Sequence, residues 1–396
     1  MQAPIIPGFG FARMPEICFG TGALRQLPQR VAGTGSRVLL VTGSTSFLAT
    51  NAYATLTQAL TQAGMQHFQV AVSGEPSPGF VDQTVARYRD EKLDWVVGIG
   101  GGSAMDAGKA ISAMLLQEGS VADYLEGRES RKHNGRKIPY VAVPTSSGTG
   151  TEATKNAVLS EIGAHGYKNS LRHDNLVPDL ALIDPELMLS CPPSLTAACG
   201  LDALTQLFES YVSTKASPMS DALALSGLEH LAAGFLPACE QGDRDIVARS
   251  HMAYAAFLSG VVLANAGLGV VHGFASPIGG YFDIPHGVVC GTLIGEATRI
   301  NLDVLFENVE QNRLVLEKFA RVGVLLSGKS SGSMRQDCDQ LPVVLQQWIE
   351  RTQIPKLGHY GISSSDFTKI LDKTNNKNSP VILNRLQMQS ILEARL

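Results

Sequence analysis

The sequence predicts two domains in tandem, a parallel α/β domain over residues 1–188 and an all-helical domain over residues 189–396. Three observations predict it. In the first half, short β-branched and apolar runs alternate with amphipathic helical patterns, the order of elements that builds a parallel sheet covered on both faces. After residues 180–184 the texture changes: Pro192, Pro193 and Ser194 mark a turn and a helix start, and Ala/Leu-rich helical patterns run nearly to the C-terminus. A chain of 396 residues is also too long for one simple core.

The first half reads in order. Residues 37–42 form a strand, and Gly43, Ser44, Thr45 and Ser46 give a turn and a capping signal. Residues 52–63 have helical spacing that stops at Gly64; residues 67–72 are a second strand. A Pro-rich loop at 75–79 leads to a helix over 80–91. Residues 94–99 are a third strand, 103–116 a third helix and 138–143 a fourth strand. Residues 327–333 read as an exposed loop.

Composition excludes several classes. A formal net charge of −4 gives no electrostatic case for nucleic acid or an anionic membrane surface. Six scattered cysteines without a CxxC pair suit reduced thiols in a cytoplasmic setting. The N-terminus shows no basic region leading into an apolar run, so no signal peptide is expected. Residues 252–282 lack Asp, Glu, Lys and Arg and are long enough to span a bilayer, but they carry several glycines, Asn265, His272 and Pro277. A buried helix followed by a functional turn is the better reading.

Two loops at strand ends suit a nucleotide. The glycine-rich stretch Gly98, Ile99, Gly100, Gly101, Gly102, Ser103 joins a strand to a helix, where a phosphate finds close backbone approach and free helix N-terminal amides. The second, from Pro144 through Thr145, Ser146 and Thr149 to Thr151, offers hydroxyls and glycines; alone, it could equally be a helix-capping turn. Together, at successive strand ends, they favour a ligand there. Asp106 and Lys109, one turn apart, read most simply as a solvated ion pair. Asp202 and Gln206, at i and i+4, share a helix face and, with His272 and His286, could hold Fe²⁺ or Zn²⁺.

The order of these segments, with the Phe19–Leu24 stretch, Asp202-Ala-Leu-Thr and the His-Gly pairs at 272 and 286, resembles the iron-containing (group III) alcohol dehydrogenases over nearly the whole chain. The resemblance implies a Rossmann-like domain, a helical domain, an active site between them and a dimer. It implies hydride transfer between a short alcohol or aldehyde and NAD(P)(H), assisted by a divalent metal. The metal set would be Asp202, Gln206, His272 and His286, with His286 and Ser276 at the reacting centre. Gly43, Ser77, Gly101, Gly102, Ser103, Asp106, Thr145, Ser146, Thr149, Lys168 and Leu187 would line the cofactor site.

The chain departs from that family twice. Gln206 stands where a histidine is usual, and Ser276 where a second histidine often follows His272. Gly43 replaces the aspartate that excludes NADP in many members, so NADP(H) is expected to be accepted. Lys155, Lys168, Arg172 and His173 suggest a substrate that carries an anionic tail. Two rivals share the fold: the metal-free maleylacetate reductases, which replace the aspartate retained here as Asp202, and dehydroquinate synthase-like lyases, which the 202–205 and 285–287 segments fit poorly.

Overall fold

A computed structural model describes residue 6, residues 8–163 and residues 166–396. The first five residues of the N-terminal segment discussed above, and residue 7, lie outside the described residues. The chain begins with strand β1 (Glu16–Phe19), helix α1 (Leu27–Ala32), β2 (Arg37–Gly43) and α2 (Asn51–Gln62). It continues through β3 (Gln66–Val72), α3 (Pro78–Tyr88), β4 (Trp95–Gly100), α4 (Gly102–Met114) and β5 (Tyr140–Pro144). Strands β6 (Asn156–Glu161) and β7 (Tyr167–Arg172) pair antiparallel as a separate ribbon, and β8 (Leu180–Ile183) returns to the main sheet. That sheet has the order β1-β8-β5-β4-β2-β3 and is parallel throughout.

Burial explains why these strands read as continuous apolar runs. Val38, Leu39, Leu40 and Val41 of β2 are all fully buried, as a strand covered on both faces requires. Their alternation divides them between two cores: Leu39 and Val41 pack with α3 and α4, whereas Val38 and Leu40 pack with Leu27, Val31, Leu56 and Leu60 of α1 and α2. The chain runs from β2 to β3 on one side, then returns to place β4 on the other. The carboxyl ends of β2 and β4 therefore flank a topological switch point, where open α/β sheets bind ligands.

Two pieces of sheet escape the sequence reading. Strand β1 is four residues long and buries only Cys18. The β6–β7 ribbon includes Tyr167, Lys168, Asn169 and Ser170, all partly exposed, so no apolar run announces it.

The second half is helical: α5 (Pro193–Tyr211), α6 (Pro218–Gln241), α7 (Ile246–Ala266), α8 (Val270–Tyr281), α9 (His286–Phe306), α10 (Val309–Ser327), α11 (Met334–Arg351), α12 (Phe367–Leu371) and α13 (Arg385–Ala394). Helix α5 packs against α6, α7 and α9, and it is buried on nearly every side from Thr196 onward. The charge-free stretch 252–282 is not one continuous helix. It breaks at Gly267, whose φ of 70° ends α7 before α8 begins. Helices α6 and α7 are each long and apolar enough to cross a bilayer, yet 67% of the most apolar window of α7 is buried inside the molecule.

The two halves meet through glycine. The turn after β5 presses on α7 so closely that a Cβ on Gly150 would stand 2.4 Å from the Gly260 amide nitrogen. A Cβ on Gly260 would stand 2.1 Å from the Gly150 carbonyl oxygen. Side chains on either residue would push the second loop away from the helical half.

Candidate active site

One cavity of about 830 Å³ lies between the halves, lined by residues of both. That volume falls in the range of pockets that bury small molecules. Gly101, Gly102, Ser103, Asp106, Thr145, Ser146, Thr149, Lys168 and Leu187 line it together with Asp202, Gln206, His272, Ser276 and His286.

The sheet side of the cavity is built from backbone and small side chains. Gly100 turns with φ 155°, and the next residue, Gly101, is the N-cap of α4 without a side chain to cap it. The first amides of α4 thus face the cavity side of the turn, the arrangement that accepts a phosphate. Gly102 lies against the second loop, and a Cβ there would stand 2.7 Å from Thr149 Cγ2. Lys109 fixes that second loop from behind. It is fully buried, and its Nζ donates to the Thr151 carbonyl (2.8 Å), the Thr154 carbonyl (2.8 Å) and hydroxyl (3.1 Å), and the Asn156 carbonyl (2.9 Å).

Lys109 is therefore not half of a solvated pair, which corrects the simplest reading of its spacing. Burial lowers its pKa, opposed by Asp106, and burial raises that of Asp106, opposed by Lys109. Asp106 lines the cavity with one buried oxygen, Oδ1, left without a hydrogen bond. Two expected cofactor residues are not among the cavity-lining ones. The Ser77 hydroxyl accepts from the Phe80 amide as the N-cap of α3 and does not line the cavity. Gly43 stands at the end of β2 beside Gly100, with Ser46 lining the cavity instead.

The helical side is built from charged and polar side chains held in place by others. Asp202, Gln206 and Glu209 fall at i, i+4 and i+7 on α5, one helix face. Glu209 takes up the start of α8: its carboxylate accepts from the Gly269 amide (2.9 Å), the Val271 amide (2.8 Å) and His272 Nδ1 (2.7 Å). That last bond fixes the tautomer and leaves His272 Nε2 free to turn inward, the supporting role that buried carboxylates have behind metal-binding histidines. His286 is the first residue of α9, and it reaches α5 because Gly287 has no side chain; a Cβ there would stand 2.3 Å from the Ala198 carbonyl oxygen.

These elements bring Asp202, His272, His286 and Cys290 together, one donor atom each within 4.8 Å of one another. Asp202 Oδ1 lies 3.4 Å from His272 Nε2 and 3.7 Å from His286 Nε2. Asp202 is 1% exposed, and its Oδ1 makes no hydrogen bond. A buried carboxylate oxygen facing two imidazoles without such a bond fits a site for a cation. Burial pushes the His286 imidazole down to about 3, against the pull of Asp202, which favours the unprotonated ring that can ligate a cation. For Asp202, burial is outweighed by His286 and His272, and the carboxyl lies below its ordinary value.

Gln206 lines the same cavity, but its amide oxygen accepts from the Ser259 hydroxyl at 2.7 Å. Ser276 is exposed to the cavity from α8. Glu209 and Cys290 escape the sequence reading, although the rule that pairs Asp202 with Gln206 finds both. Glu209 continues the same face of α5, and Cys290 follows His286 by four residues on α9.

Comparison with known proteins gives a consistent result. The family model for iron-containing alcohol dehydrogenase matches residues 15–185, and the model for the C-terminal part of the Fe-containing alcohol dehydrogenase family matches residues 196–396. The long-chain-alcohol dehydrogenase 1 of Geobacillus thermodenitrificans is 34% identical over 383 residues, 95% of this chain and 93% of that protein. An NADPH-dependent butanol dehydrogenase of Clostridium saccharobutylicum is 29% identical over 394 residues, 96% of this chain and 95% of the relative. A solved 1,3-propanediol oxidoreductase matches with a TM-score of 0.87 at 29% identity, covering 98% of this chain and all of the other.

Proposed function

The chain belongs to the iron-containing alcohol dehydrogenase family and is an NAD(P)-dependent oxidoreductase, and from its cavity we propose that it interconverts a short alcohol and its aldehyde. The observation that carries this reading is the shared cavity, with phosphate-binding turns on one wall and the Asp202, His272 and His286 donors on the other. NAD(P)(H), held along the phosphate-binding turns, would supply the hydride acceptor for alcohol oxidation and the hydride donor for aldehyde reduction. A divalent ion, Fe²⁺ or Zn²⁺, held by those donors supplies Lewis acidity toward the substrate oxygen. The remaining work belongs to the protein. The amides at the start of α4 hold the pyrophosphate, Thr145, Ser146 and Thr149 form the adjoining wall, and Ser276 with water passes the proton to solvent.

NADP(H) is accepted in this reading. Gly43 itself carries no carboxylate to oppose a 2′-phosphate, and Ser46 lines the cavity with a hydroxyl. The butanol dehydrogenase relative, described as NADPH-dependent, supports it. The enzyme is also proposed to be a cytoplasmic homo-oligomer. Its edge strand β1 leaves Ile17 and Phe19 more than two-fifths exposed, an edge suited to a second copy.

Metal content measured together with NADH and NADPH turnover on a panel of short aldehydes tests the proposal. A metal-stripped sample that keeps full turnover would instead place the chain with the metal-free reductases.

A further inference from the structure

Resting on that metal-assisted reading, we infer that Cys290 is the fourth protein ligand of the ion, in the role that spacing alone gives to Gln206. Cys290 is fully buried on α9, one turn after His286, so both project from one face toward α5 and α8. Its Sγ lies 3.6 Å from His272 Nε2 and 3.7 Å from His286 Nε2. Ligands bound to one ion at about 2.0–2.3 Å in a tetrahedron stand roughly 3.3–3.8 Å apart. The two sulfur–nitrogen separations and the 3.4 and 3.7 Å separations from Asp202 Oδ1 all fall in that range.

Hydrogen bonding alone accounts for less of this arrangement. A thiol has one proton and donates to one imidazole at a time, yet the sulfur is almost equally close to both. Asp202 Oδ1, 3.4 Å from His272 Nε2, makes no hydrogen bond of normal geometry. Gln206, by contrast, already has a partner: its oxygen accepts from Ser259, whose hydroxyl also lies 2.7 Å from the Ala256 carbonyl. A neutral amide oxygen is a weaker donor than a thiolate for a borderline ion. Coordination would form one metal–sulfur bond and release to solvent the thiol proton and any proton on His272 Nε2, which the neighbouring acids favour in the ion-free site. The resulting set is one carboxylate, one thiolate and two neutral imidazoles, softer than a set completed by a glutamine.

The test uses the full chain loaded with Co²⁺ or Zn²⁺. The Co²⁺ protein is expected to show intense sulfur-to-metal charge-transfer absorption in the near ultraviolet. X-ray absorption of the Zn²⁺ protein is expected to show a sulfur neighbour at about 2.3 Å. Cys290→Ser should abolish the absorption band and weaken Zn²⁺ binding by at least the roughly 10–100-fold that loss of a supporting hydrogen bond costs. Gln206→Leu should keep the band. A bound ion with only nitrogen and oxygen neighbours overturns the role of Cys290 while leaving the metal-assisted function standing. Failure of the wild-type chain to bind either ion overturns both.

Discussion

The two walls of the cavity are made by opposite means. On the sheet side, the proposed nucleotide recognition rests on backbone amides and on side chains that are missing, at Gly101 and Gly102, and the fixing residue Lys109 acts from behind. On the helical side, the proposed metal recognition rests on side chains that must be present, and each is oriented by another: His272 by Glu209, and His286 by the contact that Gly287 allows. The first wall is sensitive to added bulk and the second to lost donors. Metal occupancy and nucleotide affinity should therefore fail separately when the two walls are altered one at a time.

The largest effect is expected from removing the central donor. Asp202→Ala takes away the one carboxylate in the cluster, and kcat should fall by about 10³-fold, ~4 kcal/mol of barrier, with loss of the bound ion. Elemental analysis beside steady-state rates checks it, and stripping the wild-type enzyme with a chelator should give the same loss, reversed by adding metal back. An unchanged rate in both samples removes the metal side of the comparison altogether.

The next effect probes the support behind the cluster. Glu209→Gln keeps an acceptor for the α8 amides but removes the charge beside His272 Nδ1, so metal affinity should fall by about 10–100-fold. The nucleotide dissociation constant, measured by fluorescence titration, should not move. Coupled loss of nucleotide binding would show that the walls are not independent.

These walls were unequally legible in the sequence. The phosphate turn lies within one short stretch from Gly98 to Ser103, so a strand, a turn and a helix start announce it locally. The metal cluster joins α5, α8 and α9, and the distance in sequence between Asp202 and His272 says nothing about their distance in space; family likeness carried that pairing. Cys290 was passed over because a lone buried cysteine on an apolar helix reads as core packing. Ser77 is ambiguous in the other direction, since a serine before a proline and a helix suits a cap as well as a ligand site. Lys109 was misjudged because an i, i+3 pair looks the same on an exposed face and on a buried one.

A smaller effect tests the sheet wall. Gly102→Ala places a methyl group 2.7 Å from Thr149 Cγ2, so the Thr149 side chain or the loop that carries it must shift. Overpacking of this kind costs about 1–3 kcal/mol, and KM for the nucleotide should rise about tenfold with metal content intact. Release of the ion by this variant would contradict the separation of the walls.

The smallest effect concerns the basic stretch at which an anionic tail on the substrate was expected, whose Lys155, Lys168 and Arg172 line the cavity. Its two lysines and its arginine each already face a carboxylate. Lys155 pairs with Asp174 at 2.6 Å, Lys168 with Glu75 at 3.1 Å and Arg172 with Glu126 at 2.6 Å. Arg172 and Glu126 are both more than two-fifths exposed, so their pair is solvated and screened by salt. Opposite charges this close cancel one another's field at a substrate farther away, and the stretch offers a tail little net attraction. Arg172→Ala should accordingly change kcat/KM by less than about fivefold, and alike for a neutral aldehyde and for one with a carboxylate or sulfonate tail. A loss confined to the anionic substrate at low salt would mean that Arg172 leaves Glu126 when substrate binds, and would extend the charged wall of the cavity to the β6–β7 ribbon.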